Sequence, residues 1–329
     1  MFQSPFFQLF RISNVFTVPP DIIVGFLAVS IYFGSSTAGY SISDLIILIF
    51  SSIFLYIGGL VLNDLFDIKV DRLERPNRPL PSGRIKKGKA ILITVLLFSL
   101  GLALASIVNP TALGISLLMI VGIVAYNYKI KNGYFRPYLM AAIRALNVIY
   151  GASSIFDIPI TSAVGSEEAW TLTSPSTSNL DPWLLLTVAS CTVYFHIFIL
   201  TSLSKSETAQ EFSRIKIKLN IQNIKIIYLI FLVISVSVAI IFTPYKLDFL
   251  IFILLYLFLI NLLFNRALKK ANDQGQDPAL IQFVVKNMLI LLIVLDSAFI
   301  AGEAGILSGS LVAMLTIPCL LLSKKISMT

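Results

Sequence analysis

The chain has 329 residues, of which 57% are hydrophobic and only 13% charged, with a mean hydropathy of +0.89. A soluble globule carries about 25% charged residues, so this composition excludes an ordinary water-soluble domain. The net charge of +8 comes from basic residues dispersed through juxtamembrane loops, which argues against a single nucleic-acid-binding face.

A chain solvated by hydrocarbon must satisfy its backbone internally, as helices or as a closed barrel. Continuous apolar runs such as Leu247–Phe264 lack the alternation of a barrel strand, so the fold class is an all-α polytopic membrane protein. In chain order, residues 1–15 lack the charged start and apolar core of a cleavable signal, and are expected to lie along the membrane surface. About ten spans of near-bilayer length follow, at 16–34, 43–62, 89–108, 111–128, 137–155, 182–203, 224–243, 247–264, 281–300 and 308–322. The last is short, contains Pro318, and spans fully or re-enters. Cys191 and Cys319 fall inside spans and are expected to be small packing residues rather than a disulfide.

The side that holds both termini and the loops after even-numbered spans, with the adjoining span ends, carries every Lys and Arg except Lys246 and Arg144. The loop 156–181 has Asp157, Glu167, Glu168 and Asp181 but no basic residue. The positive-inside rule therefore places both termini and the basic loops in the cytoplasm. Two polar loops on that side, 63–88 and 203–223, lie four spans apart. A short string recurs near the start of each half, RISN at Arg11–Asn14 and RALN at Arg144–Asn147. This suggests one domain, 1–329, built from parallel pseudo-repeats at about 11–130 and 137–265, with helices 281–322 appended. The two polar loops would then face one another across a central cavity.

The strongest chemical signal is Asn63-Asp64-Leu65-Phe66-Asp67-Ile68-Lys69-Val70-Asp71. If the second helix continues to Asp71, then Asn63, Asp67 and Asp71 fall at i, i+4 and i+8, with Asp64 beside them. Carboxylates at a helix C-terminus oppose the macrodipole and repel one another, at a few tenths of a kcal/mol or more each. A divalent cation reverses both effects. Oxygen-only donors favour Mg²⁺, which takes one or two carboxylates plus substrate phosphate oxygens. Arg72, Arg75, Arg78, Arg84, Lys86 and Lys87 follow, with prolines at 76, 79 and 81 restricting the loop. Of these, Arg75 and Arg78 are the candidates for holding phosphate oxygens, because arginine does so bidentately.

The string NDLFDIKVDRLERPNRPLPSGRI resembles the first aspartate-rich motif of the UbiA superfamily of intramembrane prenyltransferases, N-D-x-x-D-x-x-x-D followed by R-P-x-R-P-L-x-S-G. The resemblance implies a bundle of nine to ten transmembrane helices and transfer of a polyprenyl group from an isoprenyl diphosphate to a lipophilic acceptor, within membrane lipid. It makes Asp64, Asp67 and Asp71 the candidate catalytic acids, and Asn63, Asp67 and Asp71 the ligands of Mg²⁺. It also implies diphosphate contact by a Tyr–Lys element after span four, where this chain has Tyr126 and two competing lysines, Lys129 and Lys131. In place of the family's second motif, D-x-x-x-D, the chain has Ser204, Lys205, Glu207 and Glu211. Glu207 and Glu211 could hold a second metal, or Ser204 and Glu207 could form a weaker half-site. The R-A-L-N and S-x-x-E strings together resemble the EboC-like branch.

An ionisable group within a span is a functional candidate by default. Arg144 is placed about two turns into span five, where it reaches a diphosphate or pairs with an acid such as Asp296. Asn14 and Asn147 could hydrogen-bond substrate oxygens or a neighbouring helix. His196 is expected to be packed and hydrogen-bonded, and Glu303 to lie in an outer loop. Two alternatives to a prenyltransferase stand: a non-catalytic relative that binds or moves isoprenoid lipids, and an intramembrane terpene cyclase.

Overall fold

The computed structural model describes residues 4–33, 41–128, 135–155, 182–204, 221–274 and 278–323. Twelve α-helices are formed by these residues: α1 (Pro5–Leu9), α2 (Ile12–Val15), α3 (Val18–Phe33), α4 (Ile42–Glu74), α5 (Lys87–Val108), α6 (Pro110–Asn127), α7 (Arg136–Gly151), α8 (Pro182–Ser204), α9 (Ile221–Phe242), α10 (Lys246–Gln274), α11 (Pro278–Ala313) and α12 (Thr316–Ser323). A 3₁₀ turn, Ala152–Ile155, extends α7. No strand occurs among the described residues. Eight segments are long and apolar enough to cross a membrane.

The difference from ten spans has two sources. At 16 residues, α7 is too short to count as a span by itself, yet it packs against α3, α6 and α8 within the bundle. The 45-residue segment Ala279–Ser323 doubles back at Gly305, whose φ of 82° is open to glycine but not to a side chain of ordinary handedness. Beyond that kink the chain runs antiparallel to itself, so a Cβ on Gly309 would meet Ala301 and the Ser297 carbonyl. The return leg continues as α12 after a break at 314–315, and it reaches Lys286, whose Nζ donates to the Ser323 carbonyl at 2.9 Å. Glu303 accordingly sits inside α11 and is buried, rather than lying in an outer loop.

At the centre stands α3, which packs on α4, α7, α8 and α11. Its seam with α7 is made by two glycines. A Cβ on Gly25 would overlap the Val148 carbonyl, and one on Gly151 would overlap the Ile22 carbonyl. Small residues at such a seam let two membrane helices pack backbone to backbone. Peripheral helices show the opposite pattern. Leu92, Val95 and Leu96 on α5 and Ile227, Ile230 and Ile234 on α9 are exposed apolar residues, as a lipid-facing surface requires.

The N-terminal segment departs from a surface-lying helix. Both α1 and α2 are single turns, and Leu9, Ser13 and Asn14 are buried against the bundle. Leu9 joins Val61, Leu80, Ile85 and Ala90 in a small apolar cluster that ties this segment to α4 and the loop after it. His196 is packed as expected. Its Nδ1 meets the Tyr228 and Tyr256 hydroxyls, and its Nε2 meets the Met288 carbonyl at 3.0 Å.

Candidate active site

The second span does continue through the acid motif, since α4 is unbroken from Ile42 to Glu74. The Arg75 N–H closes it by donating to the Asp71 carbonyl at 2.8 Å. The following loop is then folded back by its own backbone. Ser82 N–H donates to the Arg78 carbonyl and Ile85 N–H to the Pro79 carbonyl, each at 3.0 Å. Buried Leu80 and Ile85 anchor the loop, and Arg84 reaches Gln8 of the N-terminal segment at 3.0 Å. Together these contacts hold Arg75 and Arg78 over the end of α4.

A cavity of about 320 Å³ opens beside this point. Its polar end is lined by Arg11, Asn63, Asp67, Arg75, Arg78, Tyr126 and Arg136, and Asn127, Ser204 and Lys286 are further polar residues of the lining. Asn14, Ser52, Tyr56, Arg144 and Asn147 also line it, and apolar residues such as Met119, Ile123, Met140, Ile143, Ile197, Leu200 and Leu289 supply much of the rest. Both R-x-x-N strings thus contribute their arginine and their asparagine to a single cavity.

The four polar residues of the acid motif divide into two pairs. Asn63 and Asp67 line the cavity, whereas Asp64 and Asp71 are 3% exposed and are not part of its lining. Arg11 Nη2 donates to Asp64 at 2.8 Å, and Arg78 Nη1 bonds both oxygens of Asp71 at 2.9 and 3.1 Å. Arg78 also stands 3.6 Å from Asp64. The buried carboxylates therefore act as supports that hold two arginines at the cavity. Burial, with Arg11 and Arg75 close by, lowers the pKa of the Arg78 guanidinium below its ordinary value even though Asp64 and Asp71 oppose the shift. Cations crowded in this way favour an incoming anion.

Deeper in the wall, Arg144 is held by the first span. Its guanidinium donates to Asp21 at 2.8 Å, to the Thr17 hydroxyl at 2.7 Å and to the Thr17 carbonyl at 3.1 Å. Asn147 Nδ2 donates to the same Asp21 oxygen at 3.0 Å, and Asn147 Oδ1 accepts from Ser52. The ion-pair partner is thus Asp21, not Asp296. Asp296 instead faces Asp21 across the core, and neither of its oxygens has a hydrogen bond of normal geometry.

Several lining residues carried no distinctive signal in the sequence. Arg136 lies over the Tyr126 ring at 5.0 Å, and Arg144 lies over Tyr56 at 5.0 Å. Asn127 Nδ2 bonds the Ile123 carbonyl, which leaves its buried Oδ1 without a partner beside the cavity. Lys129, Lys131, Glu207 and Glu211 lie outside the described residues.

The donor set near the acid motif fits a hard cation, since Asn63 and Asp67 offer only oxygen and a phosphate could complete the shell. No group of three His, Cys, Asp or Glu converges among the described residues. Such an incomplete set suits an ion bound together with its substrate better than a resident structural metal.

A profile of the UbiA prenyltransferase family matches residues 23–293, most of the chain. The chain belongs to the UbiA prenyltransferase family. Among curated relatives of this UbiA protein are digeranylgeranylglyceryl phosphate synthases. That of Saccharolobus solfataricus is 33% identical over 157 residues, which cover 47% of this chain and 54% of the relative. That of Sulfurisphaera tokodaii is 32% identical over 158 residues, covering 48% and 55%. The matched region is therefore about half the length of these relatives. Solved structures share the fold more widely. A UbiA homolog from Archaeoglobus fulgidus bound to GPP and Mg²⁺ superimposes with a TM-score of 0.58 at 17% identity, covering 92% of this chain and 100% of that one. A digeranylgeranylglyceryl phosphate synthase structure gives 0.56 at 22% identity, covering 91% and 97%.

Proposed function

We propose that this UbiA-family chain is an Mg²⁺-dependent intramembrane prenyltransferase, moving an isoprenyl group from its diphosphate to a lipophilic acceptor. The observation that carries this reading is one cavity with apolar walls whose polar end brings Asn63 and Asp67 together with Arg11, Arg75 and Arg78. An isoprenoid tail suits the walls and a diphosphate suits the polar end. The names of the relatives point to an acceptor of the glycerol phosphate type, and the basic loops to a cytoplasmic polar end.

In this reading Asn63 and Asp67 hold the cation, with Asp71 available once Arg78 turns to the substrate. Mg²⁺ bound there supplies Lewis-acid stabilisation of the departing diphosphate. Arg75, Arg78 and Arg11 place fixed positive charge where negative charge grows as the allylic C–O bond breaks and its electron pair leaves with the diphosphate. Asp64 and Asp71 hold Arg11 and Arg78 beside the cavity until the substrate arrives. Tyr56 and Tyr126 line the cavity, and its apolar lining keeps water from capturing the allylic cation before the acceptor does. The acceptor oxygen then bonds the allylic carbon and releases its proton.

The test is incubation of the purified chain in lipid with prenyl diphosphates of several lengths, Mg²⁺ and a glycerophosphate lipid, followed by mass spectrometry. A lipid that gains a prenyl mass, with stoichiometric diphosphate, is the expected result. A cyclic hydrocarbon formed without acceptor would identify a cyclase, and binding without cleavage would identify a carrier.

A further inference from the structure

Arg78 holds two positions that compete with one another. It lines the cavity, and its Nη1 also bonds both Asp71 oxygens, at 2.9 and 3.1 Å, while standing 3.6 Å from Asp64. Asp71 lies one turn beyond Asp67 on α4, within reach of an ion held there, yet it is 3% exposed and not part of the cavity lining. Asp64 is engaged as well, by Arg11 at 2.8 Å. The Asp71 carboxylate is therefore already served by a cation of the chain's own.

A metal ion and a guanidinium cannot share that carboxylate without repelling one another. Stripping Arg78 from a buried acid would also leave the guanidinium without a partner. A diphosphate changes the balance, because its oxygens accept the same N–H donors that a carboxylate accepts. Arg78 is suited to such a transfer. It sits in the loop after α4 with its side chain 15% exposed, and Arg11 and Arg75 crowd it with positive charge. An anion entering among these three arginines draws Arg78 off Asp71 and leaves the carboxylate to a metal ion.

We propose that the Arg78–Asp71 pair is a latch that makes metal and diphosphate binding interdependent. Closed, it withholds Asp71 from the metal ion; opened by diphosphate, it adds Asp71 to the donors Asn63 and Asp67. The coupling runs both ways by linkage, since a metal ion on Asp71 frees Arg78 for the diphosphate. The latch deepens the prenyl-transfer reading and rests on it for Asp71 as a metal ligand.

The experiment uses the full chain in lipid nanodiscs and Mn²⁺, an ion of the same oxygen preference as Mg²⁺, titrated by EPR without any phosphate present. Arg78→Gln should tighten Mn²⁺ binding about tenfold, the worth of one charged hydrogen bond that no longer competes. Saturating Mn²⁺ should also raise the thermal midpoint of Arg78→Gln more than that of the wild type. Asp71→Asn should cost more Mn²⁺ affinity in the Arg78→Gln background than in the otherwise native chain, since only there is Asp71 available. A simple charge effect would instead give equal losses in the two backgrounds. Equal losses would overturn the proposal, as would equal Mn²⁺ affinity in the wild type and Arg78→Gln. Prenyl transfer by a chain with equal affinities would keep the activity and discard the latch. The expected affinities in a chain that releases no diphosphate would keep the latch and count against the activity.

Discussion

Arg11 and Arg144 open the two R-x-x-N strings, and each reaches a carboxylate at 2.8 Å, but their surroundings differ. The Arg11 side chain is 14% exposed at the polar end of the cavity and shares its neighbourhood with Arg78 and Asp71. The Arg144 side chain is 4% exposed and its partner Asp21 is fully buried, with Thr17 and Asn147 satisfying the same groups. Equal geometry therefore serves two ends. The outer pair can be rearranged by a substrate anion, whereas the inner pair cross-links the first span to the fifth and sets the cavity wall.

The largest contrast should come from removing each arginine. Arg144→Met leaves Asp21 and Asp296 facing one another with no cation, and should cost about 3–5 kcal/mol, seen as a steep fall in the thermal midpoint in lipid or detergent. Comparable loss in Arg11→Met would erase the distinction. Next in size is Asp67→Asn, which should slow diphosphate release on the order of 10²-fold while the thermal midpoint stays unchanged. Turnover equal to wild type would remove the acid motif from the mechanism. Arg11→Met should lower the thermal midpoint less than Arg144→Met, because Arg78 still stands 3.6 Å from Asp64. It should instead raise the KM for prenyl diphosphate about tenfold, the value of one charged hydrogen bond. The smallest effect is that of salt. Raising ionic strength to about 1 M shortens the Debye length to about 3 Å, so prenyl diphosphate binding should weaken while the stability supplied by Arg144 persists.

The membrane class, the continuation of α4 through the acid motif and the special standing of Arg144 and Asn147 were all readable beforehand, because a charge within an apolar run is conspicuous. Asp21 was not, since it follows two prolines at the start of a span and resembles an ordinary helix end. Arg136 and Lys286 were hidden for a related reason. Basic residues at span ends are what membrane orientation already requires, so only their place in the cavity wall singles them out. The division of the acid motif was equally invisible. Helical spacing sets all four groups near one face, but it does not say that Arg11 and Arg78 would draw Asp64 and Asp71 behind it. Glu303 went astray because one glycine, Gly305, turns what reads as a loop into a kinked helix.

The glycine seam between α3 and α7 also limits how this cavity can admit a lipid. With Gly25 and Gly151 each set against the opposing main chain, a single methyl has nowhere to go, and the two helices have no room to close further or slide past a side chain. The bundle thus has a rigid keel. Any widening that lets a long hydrocarbon chain in or out has to come from the outer staves moving around it.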